Sequence, residues 1–228
     1  KLVQKIWNAS KFVISFFENA PTKMPQNMEV LDKWILNELK QTTTNFEKYM
    51  SKYEMGLALK EVEKLFWNFC DNYIEIAKNR LYKPEIYGQQ AKESAQYAAS
   101  TMLEALLKLF AIYMPHVTEE IYMDTFGNAR GEKSVHLTRF VQVEGDFDEE
   151  LSKLGSEVTQ IVSAIRGEKS KNNVSLKTQV EKLVLTGFNE DIKQAEADIK
   201  AVGSVESIEY KSGEKNIEIT LAEENLTA

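Results

Sequence analysis

The stretch QQAKESAQYAASTMLEALLKLFAIYM, residues 89–114, decides the fold of this 228-residue chain. Ala98, Met102, Ala105, Leu109 and Ile112 recur at helical spacing on one stripe, and Leu103, Leu106 and Phe110 occupy another side. Its second half is apolar nearly all round, which marks a helix buried at the centre of a bundle rather than one lying on a surface. Pro115 then breaks the helix, because an interior proline lacks the N–H and clashes with the preceding turn. The residues that follow, HVTEEIYMDTF, form one more short helix.

Working outward, the same period continues towards the N-terminus. Leu31, Ile35, Leu39, Phe46 and Met50 define one long helix, and Ala58, Val62, Leu65, Phe69, Tyr73 and Ile76 define the next. Asn27 is placed to cap the first of these, with Pro21 and Pro25 in the loop before it. KIWNASKFV, residues 5–13, reads as the middle of an amphipathic helix. Lys1 to Gln4 offer no capping residue and no initiator Met, so the chain is expected to be a piece of a longer protein.

Beyond Gly127 the style changes. FGNARGEKSVHLTRF and VEGDFDEE carry glycine and polar residues and read as a connection crossing the bundle surface. Leu151, Leu154, Val158, Ile161 and Ile165 then give a helix. KLVLTG is a short apolar run, NEDIKQAEADIKAV is an amphipathic helix with Asn189 as its cap, and IEY and IEITL alternate around KSGEK. The expected architecture is mainly α: an antiparallel helix bundle over 1–128, a connecting segment over 129–148, and a small α/β module over 149–228 ending in a hairpin.

Composition excludes several functions. An apolar fraction of 43% is that of a globular protein, and no run reaches the roughly 18 apolar residues of a membrane span. No signal peptide opens the chain, so a soluble, cytoplasmic protein is expected. One cysteine, Cys70, excludes an internal disulfide, and two histidines, His116 and His136, make no metal cluster. His116 reads as an ordinary helix-start residue, Cys70 as core, and the adjacent Glu119 and Glu120 as a solvated face, since neighbours on a helix point apart. No Gly-rich phosphate loop and no nucleophile beside a base is present, so the chain shows no catalytic residues of its own.

A net charge of −7 opposes non-specific nucleic-acid binding, yet positive charge is clustered. Lys1, Lys5 and Lys11 precede the first acid, Glu18. Lys78, Arg80 and Lys83 close the second long helix, and Arg166, Lys169, Lys171, Lys177 and Lys182 outnumber Glu168 and Glu181. Local basic patches on an acidic protein suit one folded nucleic acid, and aromatic rings beside them suit unpaired bases. Trp7 is expected in the core; Phe12 is open to either role.

KIWNASKFV, LDKWILNELK, FWNFCDNYIEIAKNRLY, LLKLFAIYMPHVTEEIY and SVHLTRF occur in an order and spacing that resemble the anticodon-binding region of the class I aminoacyl-tRNA synthetases, most closely the valyl branch. FCDNYIEIAK is similar to the valyl pattern, whereas isoleucyl enzymes usually carry Asn-Trp-Tyr and an arginine-rich stretch there. IVSAIRGEKSKNNVSLKTQVEKLVL resembles the family's C-terminal segment more weakly. The resemblance implies that the bundle holds the anticodon of valine tRNA while absent catalytic and editing domains, using ATP and magnesium, charge and proofread it. It implies no cofactor in this chain, no membrane partner and a monomer. Many bacterial members of the family continue into a heptad-patterned tail, and the resemblance leaves open whether this sequence stops short of one or belongs to the tail-less, archaeal-like branch.

Carried onto this sequence, the resemblance makes Phe12 a ring that stacks on a base, Lys11 a phosphate or base-edge contact and Asn8 a base-edge contact. Arg80, Lys83, Arg166, Lys169 and Lys171 become backbone contacts, the last three from a loop that starts after Ile165. An isoleucyl- or leucyl-type domain and a helical protein-interaction module remain open alternatives.

Overall fold

The computed structural model describes residues 1–222; the last six positions of the expected 149–228 module lie outside the described residues. The chain divides into two units, Lys1–Ile74 with Arg80–Asp148, and Glu75–Asn79 with Glu149 onward.

The first unit is helical. Its elements are α1 (Leu2–Ile14), α2 (Val30–Met50), α3 (Met55–Asn68), α4 (Ile74–Tyr82), α5 (Pro84–Tyr87), α6 (Gln89–Phe110), α7 (Pro115–Tyr122) and the short α8 (Asn128–Arg130). The central helix α6 buries Met102, Leu103, Ala105, Leu106, Leu107, Leu109 and Phe110, as its all-round apolar second half requires. A π-helical turn, Phe69–Tyr73, joins α3 to α4 without breaking the rod. Tyr73 at the end of this turn and Arg80 on α4, two helical turns further on, share one face and both point at the core.

What they point at is Asp32. Arg80 donates from both terminal nitrogens to its carboxylate, at 2.6 and 2.8 Å, and Tyr73 donates its hydroxyl at 2.7 Å. Ser94 on α6 donates its hydroxyl to the same carboxylate and accepts the Glu29 N–H at 2.9 Å. Three helices are thereby cross-linked by one buried carboxylate, whose negative charge is matched by a bidentate guanidinium. The start of α2 is set here as well. Its N-cap is Glu29, without a side-chain cap bond, so Asn27 does not take the capping role.

Segment 129–148 packs along α2. Asn37 exchanges two hydrogen bonds with the backbone of Asp148 (2.8 and 2.9 Å), and Phe140 meets Phe46 edge-on at 5.5 Å. Glu119 is not simply solvated: its carboxylate accepts from the Ser134 hydroxyl at 3.0 Å and the Val135 N–H at 2.9 Å, which fixes the SVHLTRF stretch. Cys70 is buried, and burial pushes its thiol pKa up to about 12. The thiolate fraction at pH 8 is then of order one in ten thousand. Cys70 in the native protein should stay unlabelled by a thiol reagent over hours and label at once in denaturant; rapid native labelling would refute its core placement.

The second unit places α9 (Glu149–Lys171) and α10 (Glu196–Gly203) beside a three-stranded sheet of β1 (Val180–Thr186), β2 (Val205–Lys211) and β3 (Asn216–Leu221). The order is β2-β1-β3, with β1 parallel to β2 and antiparallel to β3. The last two strands therefore do not form the expected hairpin. A strand, a helical crossover and a second strand give parallel pairing, and the apolar run Leu183–Leu185 demands the centre, leaving the alternating strands as edges. The link from β2 to β3 crosses the end of β1 at Gly187, φ 72°, where a Cβ would stand 2.5 Å from the Gly213 carbonyl. Asn189 heads a 3₁₀ turn, Glu190–Ala195, with no side-chain cap bond.

Candidate functional site

Helix α1 turns Ile6, Ser10 and Val13 inward and leaves Asn8 and Lys11 exposed. Trp7 is exposed too, against expectation: it lies on the outer side with Lys11, whose ammonium sits 5.1 Å from the indole centroid. Phe12 is half-buried at the edge of this side. Its ring meets Phe16 at 5.1 Å and Tyr82 at 6.2 Å, while Phe16 meets Tyr82 at 4.9 Å, all edge-to-face. Gln96 on α6 positions this cluster by donating its amide to the Phe16 carbonyl at 2.6 Å. Tyr82 is 56% exposed and is followed by the exposed Lys83.

The structure thus packs Phe12 and Phe16 of α1 against Tyr82 at the end of α4, which Lys83 follows, while Asn8 and Lys11 lie exposed on the outer surface of α1. Sequence reasoning missed Tyr82. Its signal is an aromatic between two charged positions at a helix end, directly before the Lys83–Pro84 step that stops α4.

Arg80 does not join them. It is 3% exposed and committed to Asp32, so it cannot reach an RNA backbone as expected. Lys169 is corrected likewise. Helix α9 runs on to Lys171 instead of ending at Ile165, because Lys169 continues the inward row of Ile161 and Ile165 and finds acceptors there. It is 1% exposed, and its ammonium donates to the carbonyls of Leu176 (2.9 Å) and Gly203 (2.7 Å). The turn starts only at Asn172, with Asn173 left-handed at φ 54°. Arg166 is half-buried and lies 3.9 Å from Glu75 within the second unit, and Lys171 is exposed, 3.4 Å from Glu168.

Burial of the Lys169 ammonium pushes its pKa below the usual 10.5. With the folded value below the unfolded one, the unfolded chain binds more protons between the two, and stability rises with pH across that window. Wild type should gain denaturation midpoint relative to Lys169→Met as pH is raised towards 10.5; a constant difference would show that Lys169 is not held this way.

Among the described residues no group of three or more His, Cys, Asp and Glu is arranged to hold a metal ion. No described helix is long and apolar enough to cross a membrane.

The first unit is a helix bundle with Trp7 and Tyr82 among its exposed aromatic residues. Residues 32–185 match the family described as the anticodon-binding domain of tRNA ligase, and the chain belongs to that family. Valine–tRNA ligases align along nearly all of it. That of Thermococcus kodakarensis is 33% identical over 98% of this chain, that of Wolbachia pipientis 34% over 96%, and that of Rickettsia felis 32% over 97%. The chain spans about a quarter of the length of these relatives (25%, 25% and 26%).

Proposed function

We propose that this chain is the anticodon-recognition part of a valine–tRNA ligase and that Asn8, Lys11, Tyr82 and Lys83, with Phe12 behind them, meet the anticodon loop of valine tRNA. The observation that carries the reading is the joining of α1 to the end of α4. This packs an exposed, edge-supported ring against α1, with the exposed Lys83 next to it in the chain and Asn8 and Lys11 exposed on α1, in a module whose relatives are valine ligases. Unpaired bases stack on such rings, while lysines neutralise phosphates and an amide reads a base edge.

In the whole enzyme ATP and magnesium supply the adenylate chemistry, at residues outside this chain. The contribution of the bundle is positional: binding energy gained at the anticodon is used to orient the distant acceptor end. The chain by itself is then catalytically inactive. The reading also makes it a cytoplasmic monomer, with 1–128 and 149–228 as distinct domains joined by 129–148. Arg166 and Lys171 keep their expected role as backbone contacts, which carry no sequence preference.

Filter binding of the purified chain to total tRNA, with sequencing of the retained species, tests this. Valine isoacceptors should be enriched, and log affinity should fall against log salt with a slope of about 0.7 to 0.9 per phosphate neutralised. Enrichment of isoleucine or leucine tRNA would reassign the substrate. No retention at low salt would refute the reading.

A further inference from the structure

The second unit holds a cavity of about 290 Å³, lined by the end of α9, the turn after it, the end of α10 and the stretch Glu75–Asn79. In a chain of net charge −7 its charged walls are Lys78, Arg166, Lys169 and Lys177 against a single acid, Glu75. That carboxylate serves both Lys78, at 2.8 Å, and Arg166, at 3.9 Å. Lys169 and Lys177 have no carboxylate partner among the described residues. The buried Lys169 ammonium holds only carbonyls, and that of Gly203 ends α10, where the helix dipole amounts to about half a negative charge. A full positive charge exceeds it. The cavity wall therefore keeps a fixed positive field, screened less than at an open surface.

Donors left unspent by the fold complete the lining. Among the described residues the Asn79 amide, the Ser204 hydroxyl and the exposed Lys177 ammonium have no partner. Ser204 reaches the cavity because the chain turns left-handed there, at φ 52°, directly after α10. Ammonium, guanidinium, hydroxyl and amide donors from separate chain segments suit an anion whose oxygens point in several directions, as those of phosphate do. The volume is near the roughly 300 Å³ lower end of small-molecule sites, room for a phosphate and its sugar but not for a folded chain. We propose that this cavity binds a phosphate group, with Lys177, Arg166, Ser204 and Asn79 as donors and Lys169 as the fixed charge in the wall. Its source under the functional reading, on which that step rests, is one backbone phosphate of the bound tRNA; a free phosphate offers the same chemistry.

Lysine acylation read by mass spectrometry tests this on the 228-residue chain. Lys177 and Lys78 should react several-fold more slowly in millimolar inorganic phosphate than in sodium chloride of equal ionic strength, with the exposed Lys193 unaffected. Lys177→Gln should raise the phosphate concentration that half-protects Lys78 roughly two- to fivefold, as loss of an exposed ion pair would, and Lys193→Gln should not. Protection that tRNA reproduces, and for which phosphate competes, assigns the source to RNA. Protection by phosphate that tRNA neither reproduces nor displaces assigns it to a free phosphate, and both results uphold the cavity. Equal rates in phosphate and chloride, or equal slowing of every exposed lysine, overturn the proposal. The two readings fail separately: valine tRNA retained with Lys177 unprotected by either anion refutes the cavity alone, whereas phosphate protection in a chain that retains no tRNA upholds the cavity and refutes the functional reading.

Discussion

Arg80→Ala should lower the stability of the helical unit by about 3 to 5 kcal/mol, the cost of leaving one partner of a buried ion pair alone. At roughly 2 to 4 °C per kcal/mol for a chain of this size, the melting temperature should fall by about 6 to 20 °C. The reason is the crowding of donors on Asp32: Arg80, Tyr73 and Ser94 all converge on a carboxylate with 0% exposure. Without the guanidinium a charge remains in the core, out of reach of water. Combining Arg80→Met with Asp32→Asn should restore part of the loss, because the uncharged amide accepts one of the two hydroxyls through its oxygen and donates from its NH2 to the other, which Tyr73 and Ser94 now send to separate carboxylate oxygens. Thermal and urea unfolding read both variants. A midpoint shift below about one degree for Arg80→Ala would sink this account, and a loss of tRNA affinity at unchanged stability would return Arg80 to the RNA.

Arg80 also marks the limit of what one sequence discloses. A cation in the last turn of a helix suits the dipole and a phosphate equally well, and both readings are local. Its actual partner lies 48 residues earlier. One clue was present: Asp32 adjoins Leu31 at the start of an apolar row, where an acid is tolerated only if paired. Lys169 was more legible, since it stands four residues beyond Ile165 on the same row and so belongs on the inward face. The helices themselves followed from their period, because α2, α3 and α6 each bury a stripe wide enough to be seen without the fold. The sheet order did not. Alternation in β2 and β3 is equally compatible with mutual pairing and with two edges flanking a central strand. Only the crossover helix and the continuous apolar run in β1 decide between them.

Tyr82→Ala should weaken binding of valine tRNA roughly 5- to 150-fold, the range for losing one base–aromatic stack of about 1 to 3 kcal/mol. The family resemblance implied this role for Phe12; under the proposed function Tyr82 takes it. Phe12 spends much of its ring on Phe16 and Tyr82, whereas Tyr82 is 56% exposed and is braced edge-on by both. A braced ring loses little freedom when a base lands on it, so more of the stacking energy is kept as affinity. Phe12→Ala should then act indirectly. It removes one brace and some packing, lowering the melting temperature while costing less affinity than Tyr82→Ala when both are measured well below their melting points. The reverse order, with Phe12→Ala the weaker binder and equally stable, would put the stack back on Phe12. Two variants that bind like wild type would show that bases do not meet this side of the bundle at all.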